Sequence, residues 1–122
     1  MVAGVGVDII EVSRIQAAVE RWGERFLKRI YTPGEVAYCR SLERPFESFA
    51  GRFAVKEACM KALGTGWTDG VKWWSFEVKN EKSGKPYVVL DSDLDKKING
   101  KKIFVSISHT ENYATGVAVL SD

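Results

Sequence analysis

Residues 46–63, FESFAGRFAVKEACMKAL, form the longest uninterrupted helical pattern in the chain. Phe46, Phe49, Phe53, Met60 and Leu63 recur in near-heptad positions, and Gly64 and Gly66 close the run. A central helix is expected there. At about 100° per residue, Glu57 shares a face with Phe46, Phe53 and Met60, which points a carboxylate towards the core. Burying an unpaired charge is expensive, so Glu57 must meet a cation, take up a proton, or sit at the mouth of a polar cleft. The plain structural explanation is a salt bridge to Lys61, four residues on.

Before this helix, Val2 to Ile10 alternates as a strand does, with Val5, Val7 and Ile9 on one face and Gly4, Gly6 and Asp8 on the other. Ser13 with Gln16 reads as a capping box, and Ile15, Val19, Trp22, Phe26 and Ile30 then recur at helical spacing, with a kink expected at Gly23. Thr32, Pro33 and Glu35 signal a second helix start, running to about Ser41. After the central helix, strands are expected at Trp73 to Lys79, Tyr87 to Leu90, Ile103 to Ser108 and Tyr113 to Leu120. Gly84 to Pro86 reads as a turn, and Asp93 to Asn99 as a small helix. The expected class is α+β, a mainly antiparallel sheet packed with a long central helix, in a single domain over residues 1–122.

With 122 residues, 45% apolar content, four Trp, six Phe and four Tyr, the chain can build a core without a metal or disulfide staple. Cys39 and Cys59 lack the spacing of zinc or redox motifs and read as free buried thiols. The run Met1 to Ile10 carries Asp8 and no basic leader, which fits neither a signal peptide nor a membrane span, so a cytoplasmic location is expected. A net charge of +2 argues little for nucleic acid.

Asp8 is a second carboxylate, on a strand face otherwise made of glycines that leave room for close approach. Asp8 and Glu57 could share one hard cation. Magnesium takes one or two protein carboxylates and fills its other positions with water and substrate phosphates. The bland alternative for Asp8 is a strand-ending residue that caps a turn. Arg52, Lys56 and Lys61 surround Glu57 in the helical sequence, and Gly64-Thr65-Gly66 could bring backbone N–H groups to phosphate, although a glycine after a helix is more often a cap. His109, the only histidine, sits where a strand gives way to a turn, available to bind phosphate or move a proton. Arg14, Arg21, Arg25 and Lys28 fall within a narrow arc as a basic ridge, to which an acidic protein would be steered.

With those residues in view, the chain resembles the holo-acyl-carrier-protein synthase family of phosphopantetheinyl transferases. The resemblance lies in GVGVDIIEVSRI, YTPGE, GRFAVKEACMKALGTG and VSISHTENYATGVAVL, four ordered segments. It implies a homotrimer with coenzyme A in clefts between subunits, and transfer of the 4'-phosphopantetheine arm to a serine of acyl carrier protein. 3',5'-ADP would be released, and the holo-carrier would serve fatty acid biosynthesis. Carried over by position, Asp8 and Glu57 are the magnesium ligands and Lys61 the phosphate-binding lysine. Arg52, Gly64, Gly66, His109 and Thr110 line the coenzyme A site, and Arg14 and Arg21, with Arg25 on the same ridge, meet the acidic carrier. Val55, Met60 and Gly116 depart slightly from the family pattern and touch no expected ligand.

In the reaction that the resemblance implies, the serine would attack the β-phosphorus of coenzyme A and expel 3',5'-ADP, its proton going to Glu57, Asp8 or water. Two rivals remain at this level. One is a non-catalytic coenzyme A or nucleotide-binding module, which two carboxylates disfavour unless a metal intervenes. The other is an RNA-binding domain using exposed Trp67, Trp73 and Trp74 with Lys72 and Lys79.

Overall fold

The computed structural model describes residues 1–64 and 71–122. In chain order these form β1 (Val2–Glu11), α1 (Val12–Trp22), α2 (Glu24–Ile30), α3 (Pro33–Arg40), α4 (Pro45–Leu63) and a 3-10 turn at Trp73–Ser75. There follow β2 (Phe76–Asn80), β3 (Pro86–Leu90), α5 (Ser92–Lys97), β4 (Lys102–His109) and β5 (Tyr113–Ser121). The expected α+β class and long central helix hold. The strands, however, divide into two antiparallel sheets: β5 lies between β1 and β4, while β2 pairs with β3 alone.

Helix α4 lies flush on the three-stranded sheet because small residues meet there. A Cβ added at Gly6 would overlap the carbonyl oxygen of Ala58, one at Gly4 that of Ala62, and one at Gly116 would press on the backbone of Ala54 and Val55. Glycine is required at these positions by backbone approach. The sheet-facing stripe of α4 is therefore small, not the aromatic stripe read from the heptad spacing. Phe49, Phe53 and Met60 pack elsewhere, and apolar groups surround the helix, as befits a buried central element.

Two apolar clusters share α4. One gathers Val55, Ala58 and Cys59 with Phe76, Val78 and Leu94. The other gathers Phe49 and Ala50 with Ile15, Leu27, Ile30 and Tyr31. Cys39 and Cys59 are free and buried, as expected, and burial pushes the Cys59 thiol up to about 12.

Several starts and stops differ from the sequence reading. Thr32 caps α3 as expected: its hydroxyl accepts from the Glu35 N–H at 3.2 Å, and its own N–H donates to Glu35 Oε1 at 2.9 Å. Ser13 does not cap α1. Pairing with β5 carries β1 on to Glu11, and the Val12 N–H is satisfied by the Asn112 carbonyl at 2.8 Å, so the helix begins before Ser13. Gly23, at φ 55°, ends α1 outright rather than kinking one long helix. Trp73–Ser75 forms a 3-10 turn instead of strand.

The outer face of the three-stranded sheet is apolar. Val5 is 63% exposed, Ile9 66% and Phe104 56%, with Val7 and Val117 between them. Among the described residues no helix is long and apolar enough to cross a membrane.

Candidate functional site

The glycine face of β1 ends at Asp8, beside the middle of α4, and there the two expected acids meet. Glu57 is half-buried, and its carboxyl is held above its usual range by burial first and by the negative charge of Asp8 second, with Lys61 opposing. Lys61 does not bridge to Glu57. Its Nζ donates to Asp8 Oδ1 at 3.2 Å and to the Val7 carbonyl at 3.0 Å, so Glu57 is left without an ion pair among the described residues. The bland turn-capping explanation of Asp8 is not realised either, since Asp8 lies mid-strand opposite Gly116.

This donor set suits a hard divalent cation. Two carboxylates raise each other's need for positive charge, and both offer oxygen only. Among the described residues no three His, Cys, Asp or Glu side chains gather to enclose a metal. A pair of this kind would hold an ion jointly with water and substrate oxygens, a mode that suits magnesium.

Arg52 and Lys56 do not flank this pair, contrary to the sequence reading. At 3.6 residues per turn, Arg52 falls about 140° around α4 from Glu57. Lys56 is fully buried: Nζ donates to Glu35 Oε1 at 2.8 Å, to the Phe76 carbonyl at 2.5 Å and to the Trp73 carbonyl at 3.1 Å. Burial lowers the Lys56 pKa, and the charge of Glu35 opposes that shift. Glu35, read only as a capping residue, also accepts from the Val78 N–H through Oε2 at 2.9 Å.

Arg52 belongs instead to a cavity of about 540 Å³, lined among others by Tyr38, Ser48, Asn80, Gly84 and His109. Its guanidinium lies 4.4 Å above the Tyr38 ring, donates to Ser48 Oγ at 3.1 Å and donates to Asn80 Oδ1 at 2.6 Å. His109 faces Glu47, with Nδ1 and Oε1 3.2 Å apart. Thr110 shapes the following turn, its hydroxyl accepting from the Tyr113 N–H at 3.1 Å. Glu47, Ser48, Tyr38 and Asn80 were not found by sequence reasoning. Only Ser48 carried a local signal, one helical turn before Arg52.

The candidate residues thus form two groups on opposite sides of α4. Asp8 sits on the β1 edge of the sheet and His109 on the β4 edge, with β5 between. Gly64 takes the left-handed conformation at φ 74° and donates its N–H to the Met60 carbonyl at 3.0 Å, so that group caps α4 and is not free for phosphate. Gly66, and with it the rest of the expected phosphate-approaching loop, lies outside the described residues, as does Trp67. Trp73 is stacked on Phe53 with centroids 4.7 Å apart, which removes it as an exposed platform for RNA bases.

The basic ridge is divided by Gly23: Arg14 and Arg21 lie on α1, Arg25 and Lys28 on α2, all exposed. Trp22, expected in the apolar stripe, is 49% exposed and joins the two parts. The guanidinium of Arg21 sits 4.9 Å from its ring centroid and that of Arg25 5.9 Å.

A strand acid and a helix acid thus lie on one side of α4, and an arginine and histidine cavity on the other. The chain belongs to the 4'-phosphopantetheinyl transferase superfamily, whose family model matches residues 4–118. It is 46% identical to the holo-[acyl-carrier-protein] synthase of Koribacter versatilis, over 100% of both chains. Among solved structures it resembles the holo-[acyl-carrier-protein] synthase of Neisseria meningitidis, with TM-score 0.92, 30% identity and 100% of each chain covered. It also resembles that of Helicobacter pylori in complex with coenzyme A, with TM-score 0.87 and 32% identity over 96% of this chain and 99% of that one.

Proposed function

We infer that the chain is a holo-[acyl-carrier-protein] synthase, which moves the 4'-phosphopantetheine arm of coenzyme A onto a serine of acyl carrier protein. The observation that carries the chemistry is the meeting of Asp8 and Glu57 beside Lys61. The serine oxygen bonds to the β-phosphorus, the bond from that phosphorus to the bridging pyrophosphate oxygen breaks, and 3',5'-ADP leaves. Negative charge grows on phosphate oxygens, so catalysis rests on positioning and electrostatic stabilisation. Lys61, with an exposed ammonium, places positive charge at the acid pair, and Asp8, Glu57 or water takes the serine proton. Magnesium held by Asp8 and Glu57 would supply Lewis-acid neutralisation of the pyrophosphate.

Arg52 and His109 are assigned to the phosphate-bearing nucleotide end of coenzyme A, and the family resemblance assigns Gly64, Gly66 and Thr110 to the same ligand. Since the acid pair and the arginine cavity lie on opposite sides of α4, one ligand can use both most simply when a second copy sets its β4 edge beside the first copy's β1 edge. The apolar outer sheet face, with Val5, Ile9 and Phe104 exposed, supports such an assembly. A head-to-tail contact makes a ring where its rotation closes, and we read this one as a homotrimer with its sites between subunits. The buried free thiols support a reducing, cytoplasmic setting, with the product serving fatty acid biosynthesis. One domain over residues 1–122 suffices for this.

Incubation with apo-carrier, coenzyme A and magnesium is expected to add the mass of one phosphopantetheine to the carrier. An unchanged carrier mass would leave only the non-catalytic coenzyme A-binding module. The ridge of Arg14, Arg21 and Arg25 is assigned to the acidic carrier protein. Arg14→Glu is accordingly expected to raise the KM for carrier by about tenfold, with the KM for coenzyme A little changed. Equal effects on both constants would remove Arg14 from the docking surface.

A further inference from the structure

Arg52 differs from the exposed cations of the chain in being buried and anchored by several contacts. Only 4% of it is exposed, its plane rests on Tyr38, and its two terminal nitrogens donate to Ser48 Oγ and Asn80 Oδ1. Its Nε is buried without a hydrogen-bond partner among the described residues. A buried, unpaired cationic donor is costly, and the residue that carries it lines the cavity.

The shorter of the two anchoring bonds comes from Asn80, and both ends of that amide are engaged. Oδ1 accepts from Arg52 at 2.6 Å, while Nδ2 donates to the Gly84 carbonyl at 3.0 Å, within the hairpin that forms another wall of the cavity. Asn80 itself is fixed by its strand. Two residues earlier the Val78 N–H is held by Glu35, and the Phe76 carbonyl is held by Lys56, so β2 is tied to α3 and α4 in one register. Without Asn80, Arg52 would be free to turn to Glu43 or Glu47, which line the same cavity and would compete with a phosphate.

We propose that Asn80 is a positioning residue for coenzyme A: it ties the hairpin wall to the Arg52 guanidinium and keeps that guanidinium directed at the ligand's phosphate instead of at neighbouring carboxylates. The proposal rests on the assignment of this cavity to coenzyme A. Its strength comes from preorganisation, since an arginine already ordered loses little freedom on binding.

The test is a double-mutant cycle with coenzyme A binding measured by calorimetry, KM values for both substrates, and melting temperature as the folding control. Asn80→Leu is expected to weaken coenzyme A binding about tenfold while the KM for carrier stays within about twofold. Arg52→Met is expected to weaken it at least as much. Adding Asn80→Leu to Arg52→Met is expected to cost nothing further, a non-additivity that a merely structural role would not produce. Should Arg52→Met unfold, Arg52→Lys serves in its place. An undiminished affinity in Asn80→Leu, or a full additional loss in the double variant, overturns the proposal while leaving the cavity assignment intact. If neither Arg52 variant alters coenzyme A affinity, the assignment itself fails and takes the proposal with it.

Discussion

Glu57→Gln is expected to lower magnesium-dependent transfer by roughly two to three orders of magnitude, while the metal-free variant melts no lower than the parent. Glutamine keeps the size of the side chain and removes the charge that the ion requires. The stability half of the expectation follows from the raised pKa of Glu57, caused by burial and then by Asp8. Below the ordinary carboxylate range the group is protonated whether folded or unfolded, and it imposes no penalty. As pH rises through the folded-state value, the native protein must give up a proton that its surroundings favour keeping, so stability falls.

The variant lacks that decline. In chelator, parent and variant should therefore melt alike at about pH 3 and separate in favour of the variant towards about pH 7. Magnesium should raise the melting temperature of the parent at neutral pH and leave that of Glu57→Gln unmoved, since an ion stabilises only the state that binds it. Full turnover in the variant would end the ligand assignment. A marked loss of melting temperature in chelator would show that the charge of Glu57 supports the fold.

The largest loss of stability is expected from Lys56→Met, about 3–5 kcal/mol in urea at fixed protein concentration. The fully buried Glu35 would lose its one counter-ion among the described residues, and the carbonyls of Trp73 and Phe76 would lose a donor. Glu35→Gln combined with Lys56→Met removes both charges and should recover a substantial part of the loss, because an apolar replacement of a whole buried pair is far cheaper than half of one. Parent-like unfolding of Lys56→Met alone would mean that water or a shifted backbone already satisfies Glu35.

The local signals were readable before any coordinates. Alternation marked β1, β4 and β5, Thr32 and Glu35 marked the start of α3, and Gly64 marked the end of α4. What failed at this level failed where a distant partner decides. Ser13 loses its capping role because β5 reaches far enough to pair Glu11 and supply the Asn112 carbonyl. The heptad stripe of α4 misled because the glycines opposite it reward alanines more than aromatics.

For the site, the residue types of Asp8, Glu57, Lys61, Arg52 and His109 stood out in the sequence, and family resemblance gave them roles. Their division between two sides of α4 was not visible from spacing, since it depends on the sheet order β1-β5-β4. The Glu35–Lys56 pair and the Asn80 anchor left no periodic trace at all. Each joins elements far apart in the chain through a single side chain.

The hydrogen-for-side-chain substitution at Gly4, Gly6 and Gly116 sets how far variation of this enzyme can go. Any heavier atom there would act as a wedge, lifting the helix off its bed and carrying Glu57 away from Asp8 without touching either acid. Attempts to retune ligand preference should leave that seam alone and work on the hairpin side, where side chains and not main chains set the clearances.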